Sequence, residues 1–226
     1  MKIKTTTDQT AADAERDTKS RIIAVAERMI AVRGVQQFSI RDISREAGVN
    51  LAAINYHFGS KERLIAEVLA RQVTFINAER VKMLDKLESA AGGKPLSVEA
   101  ILEVLFKPVL RTETAESSNQ YTHTAKLLSR FSLEPDAEIV AMLKPHFMPF
   151  KERIVKMFAR ALPDLNKDEI EWRTYSIFGV LNHYMLFADA RCRSAGKNLN
   201  VKKELRRLVS FCSAGLRAST EAVSAH

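Results

Sequence analysis

This chain contains few residues of the kinds that interrupt helices or cross-link loops. Its 226 residues include 8 glycines, 6 prolines and 2 cysteines. So few glycines and prolines favour long helices. Cys192 and Cys212 cannot by themselves build a disulfide framework or a zinc site, and they fit a reducing cytoplasm.

The chain also lacks a long apolar run. Its most apolar stretch, YSIFGVLNHYMLFADA, is short and contains Asn182 and His183, which argues against a membrane span. The N-terminal sequence MKIKTTTDQTAADAERD lacks the apolar core of a signal peptide. We therefore expect a cytoplasmic protein without a membrane partner.

Signatures of enzymes are missing as well. No HExxH, GxSxG, P-loop or dinucleotide-binding sequence occurs, and the 5 histidines are scattered. We therefore expect no enzymatic activity, no cofactor and no metal site. The net charge of +8 indicates an anionic partner only weakly, because most of the basic excess falls within 188–217.

Apolar residues recur at helical spacing along most of the chain, and no segment alternates with period two. This pattern predicts an all-α fold of about nine helices. Residues 1–16 are polar, rich in threonine and aperiodic, so we expect a disordered arm. The predicted helices cover 17–33, 39–47, 50–56, 60–88, 97–112, 118–131, 135–160, 166–191 and 200–218. Pro145 and Pro149 predict a kink or a break in the third helix from the end.

The stretch VNLAAINYHFG, residues 49–59, predicts a short helix with two different faces. Val49, Ile54 and Phe58 can turn inward, and the opposite face then carries Leu51, Ala52, Asn55 and Tyr56. Gly48 allows a tight turn after the preceding helix, which begins at the predicted N-cap Ser39. A short helix, a glycine turn and a second short helix are typical of the helix-turn-helix.

The exposed residue types suit double-stranded DNA. Asparagine can pair with adenine, and alanine or leucine can contact a thymine methyl group. Cations and helix N-termini can hold phosphates. The predicted DNA-contacting residues are Ser39, Arg41, Asn50, Leu51, Ala52, Ala53, Asn55, Tyr56 and Lys61.

The sequence FSIRDISREAGVNLAAINYHFGSKERL, residues 38–64, resembles the DNA-binding segment of the TetR family of bacterial transcriptional regulators. The matching positions include Ser39, Ala47-Gly48-Val49, Tyr56-His57-Phe58 and Lys61. Many members have a second tyrosine where this chain has Asn55. The resemblance implies a DNA-binding domain over 17–60, and a ligand-binding and dimerisation domain over 61–226 that is joined through the helix at 60–88.

Two further sets of residues follow from that implied second domain. Aromatic and polar side chains of the middle helices predict a ligand pocket, formed by Phe106, Leu110, His123, Leu127, Phe131, Phe147, Phe150, Phe178, Asn182 and His183. The last two long helices form the dimer interface in the family, which implicates Trp172, Tyr175, Leu205, Leu208, Val209 and Cys212. The stretch from RALPDL to EIEWRTYSIFGVLNHYM also resembles a subgroup that responds to fatty acids or acyl-CoA.

The implied function is that of a homodimeric repressor, which a small and largely apolar effector releases from a near-palindromic operator. Two half-sites about one helical turn apart would match the two-fold symmetry of such a dimer. Two alternatives remain open. The first is a thiol-responsive regulator that acts through Cys192 and Cys212, and the second is a lipid-binding protein whose DNA-binding domain is vestigial.

Overall fold

The computed structural model describes residues 5–110, 127–133, 135–187 and 200–219. Regular structure in these ranges is entirely helical, which confirms the all-α prediction. The nine helices of the described ranges are α1 (Thr5–Arg33), α2 (Ile40–Ala47), α3 (Leu51–Phe58), α4 (Lys61–Ala91), α5 (Val98–Leu110), α6 (described over 127–133), α7 (Ala137–Ala161), α8 (Lys167–Leu186) and α9 (Val201–Leu216). The part of the predicted sixth helix before residue 127 lies outside the described residues.

The first helix begins much earlier than the sequence predicted. Residues 5–16 belong to α1, so the prediction of a disordered arm over 1–16 is wrong for this part. No glycine or proline occurs before Gly34, so no residue of this segment interrupts the helix. Ion pairs one turn apart add support, as between Asp17 and Arg21 at 3.9 Å. Residues 1–4 lie outside the described residues.

The chain divides into two compact units. Unit 1 comprises Met1–Gln72 and Arg130–Lys144, and unit 2 comprises Val73–Ser129 and Pro145–His226. The boundary predicted between residues 60 and 61 differs from this division. The reason is that the first turns of α4 bury Leu64, Val68 and Leu69, which places them in the core of unit 1. Both α4 and α7 contribute residues to both units.

Two helices contain proline in their interiors. α7 is continuous although Pro145 and Pro149 lie within it, so the predicted break does not occur. α5 contains Pro108. An internal proline removes a backbone donor and leaves a carbonyl one turn earlier without its usual partner. Asn77 and Arg80 on α4 donate to carbonyls next to such freed ones, those of His146 on α7 and Leu105 on α5, and not to the freed carbonyls themselves.

Unit 2 has a core built mainly from α5, α7, α8 and α9. α5 and α9 pack closely, and both also contact α8. The core includes fully buried Phe106, Phe158 and Ile170, together with Cys212 and Leu216 from α9. None of the described helices is both long enough and apolar enough to cross a membrane.

Candidate nucleic-acid interface

Caps at both ends define the turn between α2 and α3. The Ser39 Oγ accepts the Asp42 N–H at 3.2 Å, and the Ser39 N–H donates to Asp42 Oδ2 at 2.9 Å. Gly48 ends α2 with φ 63°, in the left-handed region that favours glycine. Asn50 begins α3, because its Oδ1 accepts the Ala53 N–H at 2.7 Å. The predicted N-cap Ser39 and glycine turn are therefore confirmed.

The short helix α3 has one buried and one exposed face, as its sequence predicted. Ile54 and Phe58 are 1% and 6% exposed. Tyr56 is 77% exposed, which leaves its ring and hydroxyl free to meet a partner. We call the exposed side of α3 the reading face; it consists of Leu51, Ala52, Asn55 and Tyr56. Ala53 is half-buried beside it.

Contacts within unit 1 hold α3 in place. Arg28 on α1 bonds Glu46 on α2, with Nη2 at 2.5 Å from Oε1. The Ser44 hydroxyl donates to the Val49 carbonyl at 2.6 Å, which ties α2 to the turn before α3. Lys19 on α1 lies 5.5 Å from the centre of the Phe58 ring. These contacts restrain α3 at its beginning and its end.

At the start of α2, Arg41 is a better candidate for a phosphate contact than Ser39. The Ser39 hydroxyl donates to Asp42 Oδ2 at 2.6 Å, so its proton is already used. Hydrogen bonds from Ser39, with help from Arg45, lower the pKa of Asp42 below its ordinary value. Ser39 therefore serves mainly as a cap, and Arg41 beside it is exposed and makes no ion pair with the described residues.

The start of α4 is a second candidate phosphate contact. Ser60 Oγ accepts the Arg63 N–H at 3.2 Å, whereas the N–H groups of Lys61 and Glu62 have no acceptor among the described residues. The Lys61 ammonium lies 4.7 Å from the centre of the Phe38 ring. Its burial there lowers its pKa, against the opposite influence of Glu62. A helix N-terminus and an adjacent cation together attract anions.

The predicted pocket residues do not form one group. Phe106, Leu110 and Phe150 are buried in the core of unit 2, and Phe178 packs against that core. Leu127 is fully buried and belongs to unit 2, whereas Phe131 belongs to unit 1. Phe147 and Asn182 are half-buried. His183 is exposed and its ring centre lies 4.6 Å from that of Phe187, and His123 lies outside the described residues.

Sequence reasoning missed one residue in the interior of unit 2. Arg80 is 7% exposed and lies one turn from the buried Ile76 and Leu84 on α4. Its spacing places it in the apolar stripe of that helix. A charged residue in such a stripe is a signal that the sequence already contained.

The predicted dimer residues separate into exposed and buried ones. Trp172 and Tyr175 on α8 are 65% and 71% exposed, and they share a helix face because they are three residues apart. Leu205 and Leu208 on α9 are half-buried. Val209 and Cys212 are buried in the core of unit 2, which leaves little of their surface available to a second chain. Apolar spacing alone does not distinguish the side of α9 that faces the core. The exposed aromatic residue of α9 is Phe211, which the prediction omitted.

Cys212 is a poor candidate for thiol chemistry. It is 1% exposed, and burial raises the pKa of its thiol to about 11. Thiolates, and not thiols, are the reactive form, so this cysteine stays protonated at neutral pH. Cys192 lies outside the described residues.

Comparisons with known proteins agree with this arrangement. A family model described as "Bacterial regulatory proteins, tetR family" matches residues 22–68, and one described as "Tetracyclin repressor-like, C-terminal domain" matches residues 103–215. The "HTH-type transcriptional dual regulator CecR" of Shigella flexneri is 23% identical over 169 residues, which are 74% of this chain and 75% of that protein. The "HTH-type transcriptional repressor KstR2" of Mycolicibacterium smegmatis is 31% identical over 87 residues, which are 37% of this chain and 42% of that protein.

Solved structures share the fold. A transcriptional regulator from Rhodococcus sp. Rha1 has a TM-score of 0.60 at 15% identity, with 90% of this chain and 96% of that chain covered. The regulator FadR from Bacillus subtilis, solved with stearoyl-CoA, has a TM-score of 0.58 at 13% identity, with 87% and 98% covered. Together with the two family models, these likenesses establish that the chain is a transcriptional regulator of the TetR family.

Proposed function

We propose that this protein is a cytoplasmic, homodimeric repressor that binds a near-palindromic operator through α3 and leaves it when a small, largely apolar effector binds unit 2. The observation that carries the proposal is the reading face. Asn55 and Tyr56 stand exposed on a helix whose opposite side, Ile54 and Phe58, is buried. A helix of this kind can enter the major groove with its polar side toward the bases.

The chemistry of the reading face supports base recognition. An asparagine side chain offers both a donor and an acceptor, which matches the edge of adenine in the major groove. The neighbouring Ala52 leaves room for close approach and can contact a thymine methyl group. Arg41 and the amides at the start of α4 would hold phosphates on either side and set the register. The intact caps of α2 and α3 argue against a vestigial DNA-binding domain.

The outer side of α8 supports self-association. Trp172 and Tyr175 are large aromatic residues with most of their surface exposed in a single protomer. Aromatic residues are enriched in protein interfaces because they bury much surface at little entropic cost. A second copy that covers them with its own α8 and α9 would give the two-fold symmetry that a near-palindromic operator needs.

Coupling between effector and operator would pass through α4. This helix begins at Lys61, beside the reading face in unit 1, and continues to Ala91 in unit 2. An effector that prefers one conformation, and an operator that prefers another, must weaken each other by the same factor. α4 is one continuous helix that contributes residues to both units.

The test is selection of binding sites from a random duplex library by the full chain, followed by mobility-shift titrations on the selected operator. We expect Lys61→Ala to weaken binding to all sequences and to reduce the salt dependence by about one counterion. Asn55→Ala should instead relax the preference at one base pair, by about 1–3 kcal/mol. Lys156→Ala, which removes an exposed cation of α7, is the matched control and should leave DNA binding unchanged.

Failure to enrich any sequence would overturn the proposed function. If Asn55→Ala lowered affinity equally for every sequence, Asn55 would be a phosphate contact and not a base reader. An effect of Lys156→Ala as large as that of Lys61→Ala would show that only overall charge matters.

A further inference from the structure

The guanidinium of Arg80 lies in the interior of unit 2, where three helices meet. Nη2 donates to the Leu105 carbonyl of α5 at 3.0 Å. The guanidinium carbon lies 5.5 Å from the centre of the Phe150 ring on α7. Nη1 makes a long hydrogen bond of 3.4 Å to Asn77 Oδ1 on α4 itself. All these partners are uncharged.

One donor of this group has no partner. Arg80 Nε is buried and makes no hydrogen bond within the described part of the chain. In most proteins a buried donor finds an acceptor, since leaving it without one costs about 1–3 kcal/mol. The described part of the chain therefore lacks an acceptor for Nε.

The charge of Arg80 also has no directly paired carboxylate in the described ranges. No carboxylate within the described residues forms an ion pair with it. Burial lowers its pKa to about 10, with a smaller opposite influence from Glu79, so it remains protonated at neutral pH. A buried cation without an anion is costly, whereas an apolar side chain of similar size would fill the same space without that cost.

The neighbouring backbone does not require a charged donor. Asn77 Nδ2 reaches the His146 carbonyl of α7 at 3.4 Å with a neutral amide, between the two prolines of that helix. A neutral side chain could serve the Leu105 carbonyl near Pro108 in the same way. The positive charge of Arg80 is thus not explained by the helix backbones around it.

We propose that Arg80 binds the carboxylate of an otherwise apolar effector, an inference that rests on the proposed function and names the chemical class of its ligand. The guanidinium offers a planar fork that matches a carboxylate, and its Nε is free for one oxygen. Phe150 and the fully buried Phe106 belong to the surrounding core, which suits an apolar body. The effector would supply both the missing acceptor and the missing negative charge.

A single negative charge fits this surrounding better than a phosphate dianion. One guanidinium compensates one negative charge, and the described groups in contact with it offer no second cation. A dianion would leave a net charge in an interior of low polarity, with the same cost that Arg80 bears alone. The class is therefore a monocarboxylate.

The experiment is calorimetric titration of the full chain, without DNA, with two matched pairs of probes. Dodecanoate is compared with 1-dodecanol, and 2-naphthoate with 2-naphthol, because each pair differs mainly in the carboxylate. We expect at least one carboxylate to bind about tenfold or more tightly than its alcohol. Arg80→Met should weaken that binding by about 30-fold or more and should leave the alcohol unaffected.

Two further variants keep the test decisive. Arg80→Lys retains the charge but loses the planar guanidinium, so we expect it to weaken carboxylate binding by about five- to tenfold. If Arg80→Met does not fold, Arg80→Lys serves as the test of whether Arg80 binds the carboxylate. Arg160→Met is the matched control, because Arg160 also donates to a carbonyl, that of Gly93 at 2.8 Å, but is exposed. It should bind the probes as the wild type does.

The inference is overturned if both carboxylates bind no more tightly than their alcohols, or if the Arg80 variants bind them as the wild type does. Operator selection by the same preparations separates this outcome from failure of the proposed function. Loss of carboxylate preference with operator binding intact would remove only the inference. Carboxylate binding without any selected operator would remove only the regulatory role.

Discussion

Two arginines of unit 2 are almost fully buried, and their surroundings differ. Arg173 on α8 is 5% exposed and donates to Glu169 Oε1 at 2.6 Å and to the Leu216 carbonyl at 2.7 Å. Arg80 on α4 is 7% exposed and meets a carbonyl, an amide and an aromatic ring, without any carboxylate among the described residues. Both guanidiniums bridge helices, but among the described residues only Arg173 has a carboxylate that pairs with it.

The difference indicates what burial of a charge means in this protein. Arg173 satisfies the last carbonyls of α9, which the helix itself leaves open, and a carboxylate one turn away balances its charge. Its presence is explained by the architecture alone. Arg80 has the same degree of burial and lacks that explanation. In our proposal, Arg80 is a ligand-binding residue because no described carboxylate pairs with it, and not because it is buried.

The largest expected effect is a difference in stability between Arg173→Met and Arg80→Met. Removing Arg173 leaves the Glu169 carboxylate and the end of α9 without partners, and breaking a buried pair costs about 3–5 kcal/mol. Because the Glu169 side chain is 24% exposed, we expect a value near the lower end. Arg80→Met should change the free energy of unfolding by less than about 1 kcal/mol, because a desolvated charge and a hydrogen bond disappear together.

Urea unfolding of the three proteins measures this difference, with Arg160→Met as the exposed control. Equal losses in unfolding free energy for Arg80→Met and Arg173→Met would contradict the comparison, since Arg80 would then stabilise the fold as much as Arg173 does. A loss for Arg160→Met similar to that for Arg173→Met would show that burial of the arginine is not the cause.

A smaller effect is expected from Glu169→Gln, which gives Arg173 the same electrostatic situation as Arg80. The amide can still accept the hydrogen bond, but the negative charge is gone, so Arg173 becomes a buried cation without an anion. We expect a loss of about 1–2 kcal/mol in unfolding free energy. Glu171→Gln on the same helix is the control, because its pair with Lys167 at 3.7 Å is exposed. Equal losses for the two variants would refute the role of the buried charge.

The smallest effect concerns Glu99, whose ion pair with Arg217 is exposed. Arg217 donates to both carboxylate oxygens, at 2.6 and 3.0 Å, and Ser213 donates at 2.6 Å. These bonds, led by the one from Arg217, lower the pKa of Glu99 from 4.5 to about 2. Since the pKa is lowered by folding, its contribution to stability is present above pH 4.5 and is lost as the pH falls toward 2.

We therefore expect Glu99→Gln to reduce stability by less than about 1 kcal/mol at pH 6, and the difference from wild type to shrink by pH 3. Unfolding by urea at the two pH values measures it, with Glu103→Gln, one turn later on α5, as control. A difference that stays constant between the two pH values would contradict the assignment to Glu99.

Local signals predicted the reading face well. Ser39, Gly48 and Ser60 each act on backbone groups within a few residues, so spacing alone was enough to place α2, α3 and the start of α4. The amphipathic pattern of α3 is short but unambiguous, because Ile54 and Phe58 are its large apolar residues on one side. The position and the exposure of these residues could therefore be predicted from the sequence.

Unit 2 was less predictable, because its helices carry apolar residues on more than one side. Val209 and Cys212 resembled interface residues, although they face the core, and exposed Phe211 was overlooked. The sequence shows that a side chain is apolar, but which neighbour covers it depends on how several helices assemble. Arg80 could have been identified from the sequence, because it is a charged residue one helical turn from each of the apolar residues Ile76 and Leu84.

Trp172 has a practical consequence for anyone who studies this protein in solution. It is the single tryptophan of the chain, and it lies exposed on the outer side of α8. Intrinsic fluorescence excited at long ultraviolet wavelengths therefore comes from that surface alone. Dilution of the protein should shift its emission toward that of a hydrated indole if copies separate, without any added label.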